Sequence, residues 1–330
     1  MTTLKIHYYL PIQAPLDQIK HHSLASIRLR AVPAITGLIK KGHTVTFGSN
    51  CPDIHGLDIA IFGKLGSPEE VFKRDFIWSN EIKFLKSNGT KVVLDYSDHH
   101  LGNHSNQTSF YKKNIPIADF ISVPSMKMAE LLKLFCHVPI HHISDAIEFD
   151  IFPPRKVRQN TRSIFWFGAK SNLKFLFAFI EKLIVNEPII FNILTDAKGI
   201  AIFQNTKIIS KSKIHINLDL WSLNKMIDYA LESDLCVIPS DPTDIRKNGV
   251  GANRLITALS LGLPVAASIL NSYSYFSRYF VDINSSRLYS LITNPELFHE
   301  DVSLAQQTVV EQFKMVSIEK KWSEFIQQIY

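Results

Sequence analysis

Cysteine is scarce in this chain of 330 residues: Cys51, Cys136 and Cys236 are an odd number, far apart and in no CxxC spacing. That excludes a disulfide framework and a cysteine zinc site, and it favours a reducing compartment. Long apolar runs are missing as well. No stretch approaches the roughly 18 residues of a membrane span, and Met1-Thr2-Thr3-Leu4-Lys5-Ile6 lacks the charged segment and long apolar run of an export signal. The expected location is the cytoplasm, with room for peripheral association at the inner face of the membrane. Charge of one sign is not concentrated either: residues 1–155 hold 17 Lys+Arg against 14 Asp+Glu and residues 156–330 hold 19 against 16, so the net +6 divides into +3 and +3. With no basic tail or arginine block, nucleic acid is not an expected partner, whereas anionic small molecules and an anionic membrane surface fit. Two phosphate motifs are absent too. The loop after the first strand, Pro11-Ile12-Gln13-Ala14-Pro15, has no GxGxxG, and no GxxxxGK[ST] occurs anywhere, which removes dinucleotide oxidoreductases and P-loop kinases.

What is present is a balance of 46% hydrophobic and 20% charged residues, which excludes disorder, collagen and coiled coil. Short runs rich in Ile, Val and Phe alternate with longer segments of helical period, the pattern of parallel sheets covered by helices on both faces, so the fold class is α/β. The first half predicts strands Lys5–Leu10, Thr44–Gly48, Asp58–Gly63, Lys91–Tyr96, Phe120–Pro124 and Pro139–Ile143. Helices fit between them: Ser26–Lys41 ends at a C′ glycine, Gly42; Ser67-Pro68-Glu69-Glu70 carries an N-cap, an N1 proline and first-turn acids; Ser125–Phe135 follows the fifth strand. The second half repeats the pattern with strands Arg162–Gly168, Ile189–Leu194, Lys213–Leu218, Leu235–Pro239 and Pro264–Ser268, and helices Leu173–Val185, Ser222–Glu232 and Ala252–Leu261. A polar loop, Ser240–Gly251, precedes the last of these. The stretch from Phe149 to Asn160, with Pro153-Pro154, interrupts the pattern. The expected organisation is a Rossmann-like domain over 1–150, a linker over 151–161, a second Rossmann-like domain over 162–310, and a C-terminal helix over 311–330 that packs back on the first. Two doubly wound parallel sheets of this kind are expected to face a cleft, with ligands at the carboxyl ends of their strands.

The segment Asp234-Leu235-Cys236-Val237-Ile238-Pro239-Ser240, continued by Lys247-Asn248-Gly249-Val250-Gly251-Ala252-Asn253-Arg254, is a strand leading through a polar, glycine-bearing loop into a helix. Free amides and the positive end of a helix dipole suit a phosphate there, and Lys247 and Arg254 would add charge-assisted contacts. A solvated βα loop whose glycines only turn the chain is the competing account. Asn253-Arg254-Leu255-Ile256-Thr257-Ala258-Leu259-Ser260-Leu261-Gly262-Leu263-Pro264-Val265 resembles the N-R-L-x-x-A-L-x-x-G…L-P-V helix of the nucleotide-sugar-binding region in GT-B glycosyltransferases. Other segments agree in order: Ser26 to Arg30 through Gly42-His43-Thr44-Val45 with the first helix and its G-H-x-V exit, Val93-Leu94-Asp95-Tyr96-Ser97-Asp98 with a strand-end D-x-x-D, Ile143-Ser144-Asp145-Ala146-Ile147-Glu148 with the close of the N-terminal domain, and Ile164 to Gly168 with the first strand of the C-terminal one. The resemblance spans roughly residues 3–280. One departure stands out: retaining members commonly carry two glutamates eight residues apart here, and the alignment places Gly249 and Thr257 at those positions.

The resemblance implies a cytoplasmic glycosyltransferase that moves a sugar from a nucleotide-sugar donor to a glycan or lipid-linked acceptor in bacterial surface polysaccharide synthesis. A nucleotide-sugar 2-epimerase of the same architecture and a non-catalytic, degenerate transferase are the alternatives. Donor diphosphate and nucleotide contacts are expected from Lys170, Asn172, Lys247, Asn248, Gly249, Gly251, Asn253, Arg254 and Thr257, with a surface salt bridge as the other reading of Arg254. Asp98 and His99 follow a strand end and are the candidate base or acceptor-orienting pair, against a capping carboxylate and a solvated ring. Arg28 and Arg30 are placed on the acceptor side of the cleft, to meet donor phosphate or an anionic acceptor sugar, with plain surface charge as the other reading. Asp145 and Glu148 lie at its hinge edge, where the other reading has them fixing the chain geometry. No cofactor and no obligatory metal is expected: the pairs His21-His22, His99-His100 and His141-His142 put adjacent rings on opposite faces of an extended chain, without a helical ligand spacing. Phe165, Trp166 and Phe167 read as strand core.

Overall fold

The computed structural model describes residues 2–66, 69–102, 105–154, 162–184, 186–206 and 213–330. It divides into two compact units: residues 1–148, 244–252 and 312–330, and residues 149–243 with 253–311. The expected Ser67-Pro68 helix start, residues 155–161 of the linker and the Val185 helix end lie outside the described residues.

In the first unit the strands are β1 (Lys5–Tyr9), β2 (Thr44–Gly48), β3 (Ile59–Phe62), β4 (Lys91–Asp95), β5 (Phe120–Val123) and β6 (Ile140–His142), in the order β2-β1-β3-β4-β5-β6. All pairs are parallel, with Ile6 opposite Val45 on one side and Ile59 on the other. β1, β3, β4 and β5 are apolar on both faces because each face feeds a separate core cluster: Ile6, Tyr8, Ile61 and Val93 on one side, Tyr9, Ala60, Phe62 and Leu94 on the other. Ser125 caps the helix Met126–Lys133 by accepting the Met128 N–H at 3.0 Å, and Gly42, at φ +85°, lets the chain leave the helix Val32–Lys40.

The expected single helix Ser26–Lys41 begins as a wide π-turn over Ile27–Ala31 before turning α-helical at Val32. Pro33 explains it. In α geometry its ring would press on the carbonyl of Leu29 and could donate nothing to it; here that carbonyl instead accepts the N–H of Ala146 at 2.9 Å. The C-terminal helix Met315–Ile329 lies on the helix Val32–Lys40, burying Ile318, Trp322, Phe325 and Ile326 in the same core as β1. Gly37 permits the contact, since a Cβ there would sit 2.6 Å from the Glu319 carbonyl oxygen. Glu319 answers with a carboxylate that takes the Thr36 hydroxyl at 2.9 Å and the Lys40 ammonium at 2.6 Å.

The second unit contains β7 (Arg162–Phe167), β8 (Ile189–Thr195), β9 (Ile214–Leu220), β10 (Leu235–Ile238), β11 (Val265–Ala267) and β12 (Val281–Asp282), in the order β12-β11-β10-β7-β8-β9, again all parallel. The helices Leu173–Lys182 and Arg287–Thr293 cover one face of this sheet, and Ile164 and Trp166 point into that core. Phe165, Trp166 and Phe167 are all buried, as strand core requires. The polar loop after β10 holds a short helix, Ile245–Asn248, and the helices Thr108–Asn114 and Ala197–Gln204 were not foreseen. The first has only Phe110 and Tyr111 to announce a helical face, and the second, with Ala197, Ile200, Ala201, Ile202 and Phe203, is short and carries Gly199 in its first turn. In each sheet the strand order reverses once, between β1 and β3 and between β7 and β10, and the loops leaving those strands are where a doubly wound fold holds its ligand.

Candidate active site

At the strand ends of the first unit, β3 and β4 deliver Lys64 and Asp98, which form an ion pair; the Asp98 side chain is 39% exposed. Burial would raise the Asp98 carboxyl, but Lys64, helped by His100 and Lys247, outweighs it and holds the group below its ordinary range. Asp98 is therefore an ionised acceptor of low proton affinity, better suited to orient a hydroxyl than to remove its proton. His99 is not the exposed base expected. Only 1% of it is accessible, a Cβ on Gly102 would lie 2.2 Å from its Nε2, and burial lowers its pKa. The cause is the loop's own winding: the Tyr96 hydroxyl accepts the N–H groups of His100 at 2.6 Å and Leu101 at 3.0 Å, which curls the chain over the ring. His100 is held below it, with Nδ1 2.9 Å from the Ser105 hydroxyl and its ring stacked on Tyr111 at 5.0 Å; desolvation pushes its pKa down to about 4.

The two arginines expected to meet phosphate are consumed internally. Arg28 donates from Nε to Glu148 at 2.8 Å. Arg30 is 1% exposed, donates to Asp95 through Nε at 3.0 Å and Nη2 at 2.5 Å, and reaches the Ile143 carbonyl at 2.7 Å and Asp145 at 3.1 Å with Nη1. Tyr8 and Ser122 hydroxyls also donate to Asp95, at 2.7 and 2.6 Å. Arg28, Arg30, Asp145 and Glu148 thus tie the π-turn to the chain leaving β6, in keeping with the alternative reading of the two acids. Burial raises the Asp145 carboxyl despite Arg30.

The glycines of the expected phosphate loop serve protein contacts. Residues 244–252 belong to the first unit. There a Cβ on Gly249 would lie 3.0 Å from Leu131 and 3.2 Å from Met128, and one on Gly251 only 2.8 Å from Asp145. The Ser125 hydroxyl donates to the Gly249 carbonyl at 2.8 Å. These glycines are small because the loop lies on Asp145 and the helix after β5, so close approach to a ligand is not needed to explain them. Lys247 stands near enough to Asp98 to bias its ionisation; the Asn248 side chain lies outside the described residues.

In the second unit, the helix Asn253–Ser260 carries Asn253, Arg254 and Thr257. The Asn253 side-chain oxygen accepts the Arg254 N–H at 2.7 Å, and Thr257 is buried at 9% exposure. Arg254 makes no salt bridge among the described residues, contrary to the surface reading. Its Nη1 is buried and has no hydrogen-bond partner. The guanidinium is close enough to the buried Cys236 of β10 and to Tyr273 to favour their anionic forms, although burial dominates and raises both pKa values. Arg254 itself is half-buried, and one buried guanidinium donor left unsatisfied is costly unless something anionic completes it. After β7, Gly168 lies against the Trp166 ring, 3.1 Å from where a Cβ would be, and Asn172 closes a short turn by donating its N–H to Ala169 at 2.9 Å. The backbone N–H of Lys170 goes to Asp196 at 2.7 Å, with its side chain in solvent.

Sequence reasoning missed Lys64, Ser240 and Ser268, whose signal was position at a strand end. Ser268 receives the Ser240 N–H at 2.9 Å and donates back to its carbonyl at 3.0 Å, joining the ends of β10 and β11. Both serines border a cavity of about 900 Å³ that runs over the sheet between the helices Leu173–Lys182 and Arg287–Thr293, with Phe175, Phe179, Leu288 and Ile292 in its walls. Among the described residues no three His, Cys, Asp or Glu side chains converge as a metal-ligand set, and no helix is long and apolar enough to cross a membrane.

No protein-family model matches the sequence, and no curated protein matches it. Solved structures do resemble it. An α-glucosyltransferase in complex with UDP-glucose and DNA containing an abasic site matches at a TM-score of 0.63 and 12% identity, over 99% of this chain and 100% of that one. AviGT4, a glycosyltransferase involved in avilamycin A biosynthesis, matches at 0.56 and 11%, over 99% and 98%. TarM matches at 0.58 and 17%, over 81% of this chain, which spans only 54% of TarM. The chain has the GT-B fold, two α/β units each built on a six-stranded parallel sheet.

Proposed function

We propose that this chain is a glycosyltransferase that moves a sugar from a nucleoside diphosphate sugar to a glycan or lipid-linked acceptor, as in bacterial surface polysaccharide synthesis. The buried, unpartnered Nη1 of Arg254 carries the donor half of this reading. Glycosyl transfer leaves a nucleoside diphosphate whose charge must be met as the bond to the sugar breaks. A guanidinium next to the helix start at Asn253 is suited to a phosphate, by charge, by forked geometry and by the dipole. Binding would also relieve the unsatisfied donor, worth about 1–3 kcal/mol. Lys170 is a further cation for the donor, and Asn172 and Thr257 are its neutral contacts. On the acceptor side, Asp98, kept ionised by Lys64, orients the attacking hydroxyl, and no proton transfer is assigned to the covered His99. The UDP-glucose seen in a structure of the same fold makes UDP the first nucleotide to test.

Thermal shift against UDP, GDP, ADP and CMP tests the donor. At one hundred times Kd a single ligand adds about 2.7 kcal/mol, which raises the melting point of a unit of this size by about 5–10 °C. Arg254→Ala is expected to abolish the shift and to lower kcat/KM by about 10²–10³; Arg254→Lys keeps the charge without the fork and recovers part of both. No shift with any nucleotide, or the same shift in Arg254→Ala, refutes the assignment. Nucleotide binding without transfer to any acceptor would favour the non-catalytic reading, for which Gly249 and Thr257 in place of glutamates are the support. An epimerised sugar formed without acceptor would favour the epimerase.

A further inference from the structure

The helix Val71–Ser87 is apolar on its inner side and carries a mixed aromatic and basic stripe on its outer one. Its inner side gives Val71, Trp78, Ile82 and Leu85 to the core of the first unit. Its outer side presents Phe72, Lys73, Phe76, Ile77, Lys83 and Phe84 around the polar Asn80, all exposed and with no carboxylate among them, the Phe84 ring meeting His55 edge-on at 5.1 Å. Phe72 and Phe76 are each 71% accessible. The acids of the helix are elsewhere: Asp75 is buried and pairs with Lys113 at 3.1 Å, and Glu81 is half-buried. Exposed aromatics grouped in this way mark interaction surfaces.

We propose that this outer stripe docks the first unit on an anionic lipid surface. The chemistry selects that partner. Phenylalanine rings one turn apart can enter the headgroup boundary together, while Lys73 and Lys83, with the exposed Lys112 of the neighbouring helix, meet lipid phosphates. A two-fold contact with a second copy would instead set Lys73 and Lys83 against their own copies, with Glu69 and Glu70 present only at the helix start. The inference stands on this helix alone and does not depend on the donor assignment.

Flotation of the full chain with phosphatidylcholine vesicles, with and without 30% phosphatidylglycerol, at about 0.1 M salt, tests it. Partitioning onto the anionic vesicles is expected to exceed that onto neutral ones by about tenfold or more. Phe72→Ser/Phe76→Ser leaves the net charge at +6 and is expected to lower binding by at least about tenfold. Lys73→Gln/Lys83→Gln is expected to weaken binding and flatten its salt dependence. Both pairs are exposed, so the variants should melt with the wild type, which keeps loss of binding separate from loss of fold. The proposal fails if the wild type does not float with anionic vesicles, if the phenylalanine variant floats equally well, or if the wild type is a dimer that this variant dissociates.

Discussion

Asp95→Ala probes the part of the molecule where sequence reasoning assigned a ligand contact and the structure shows an internal one. Asp95 is 3% exposed and accepts from Tyr8 at 2.7 Å, from Ser122 at 2.6 Å and from Arg30 at 2.5 and 3.0 Å. Removing it leaves the Arg30 guanidinium buried with the Ile143 carbonyl and a single 3.1 Å contact to Asp145, a group whose own ionised form burial disfavours. Breaking a buried ion pair from one side costs about 3–5 kcal/mol. Spread over a unit of this size, that is a fall of about 10 °C in its melting transition. Calorimetry resolves it. The companion variant Arg30→Met keeps most of the volume and leaves Asp95 with its two hydroxyl donors, and it too should be destabilised. The pair Arg30→Met/Asp95→Ala should lose clearly less than the two single changes added together, by at least about 1 kcal/mol, because the uncompensated charge disappears with its partner. A shift of under about 2 °C in Asp95→Ala, or strict additivity in the cycle, would refute the view that Arg30 is a structural cation.

Gly37→Ala places a Cβ 2.6 Å from the Glu319 carbonyl and 2.9 Å from its Cα, both backbone atoms that cannot rotate away. It should cost about 1–3 kcal/mol and expose the helix Met315–Ile329 to limited proteolysis; an intact, equally stable variant would contradict the packing. His100 is held neutral by burial, with its pKa lowered from 6.5 to about 4. Its contribution to stability is therefore complete above pH 6.5 and lost as the pH falls toward 4, on the order of 3 kcal/mol. Melting temperatures across that interval should fall less for His100→Gln than for the wild type, and parallel curves would exclude the effect. Gly251→Ala, 2.8 Å from Asp145, should loosen the 244–252 segment from the first unit, visible as faster hydrogen exchange at its amides.

Much of the scaffold was legible because its signal is local. Runs such as Ile59–Phe62 and Leu235–Ile238 are apolar at every position, as strands buried on both faces must be, and Gly42, Ser125 and Ser222 mark helix ends by the conformations and hydrogen bonds only such residues supply. The strand-end cations were less legible. Arg28, Arg30 and Arg254 look alike in sequence, each near a helix start, yet the first two are matched by carboxylates and the third is not. Nothing within a few residues of Arg30 distinguishes it, because Asp95 and Asp145 arrive from 65 and 115 positions away. The glycines of the loop before Asn253 misled for the same reason: their crowding comes from Met128, Leu131 and Asp145.

By itself, then, the amino-acid sequence determined the class of the fold, the number of sheets and the places where strands hand over to loops, since periodicity and caps act over one or two turns of chain. Which charges are matched inside the fold and which are not was decided only in the tertiary structure. An ion pair depends on where chain closure brings its two ends, and a buried guanidinium is spent or available according to partners that no local pattern encodes.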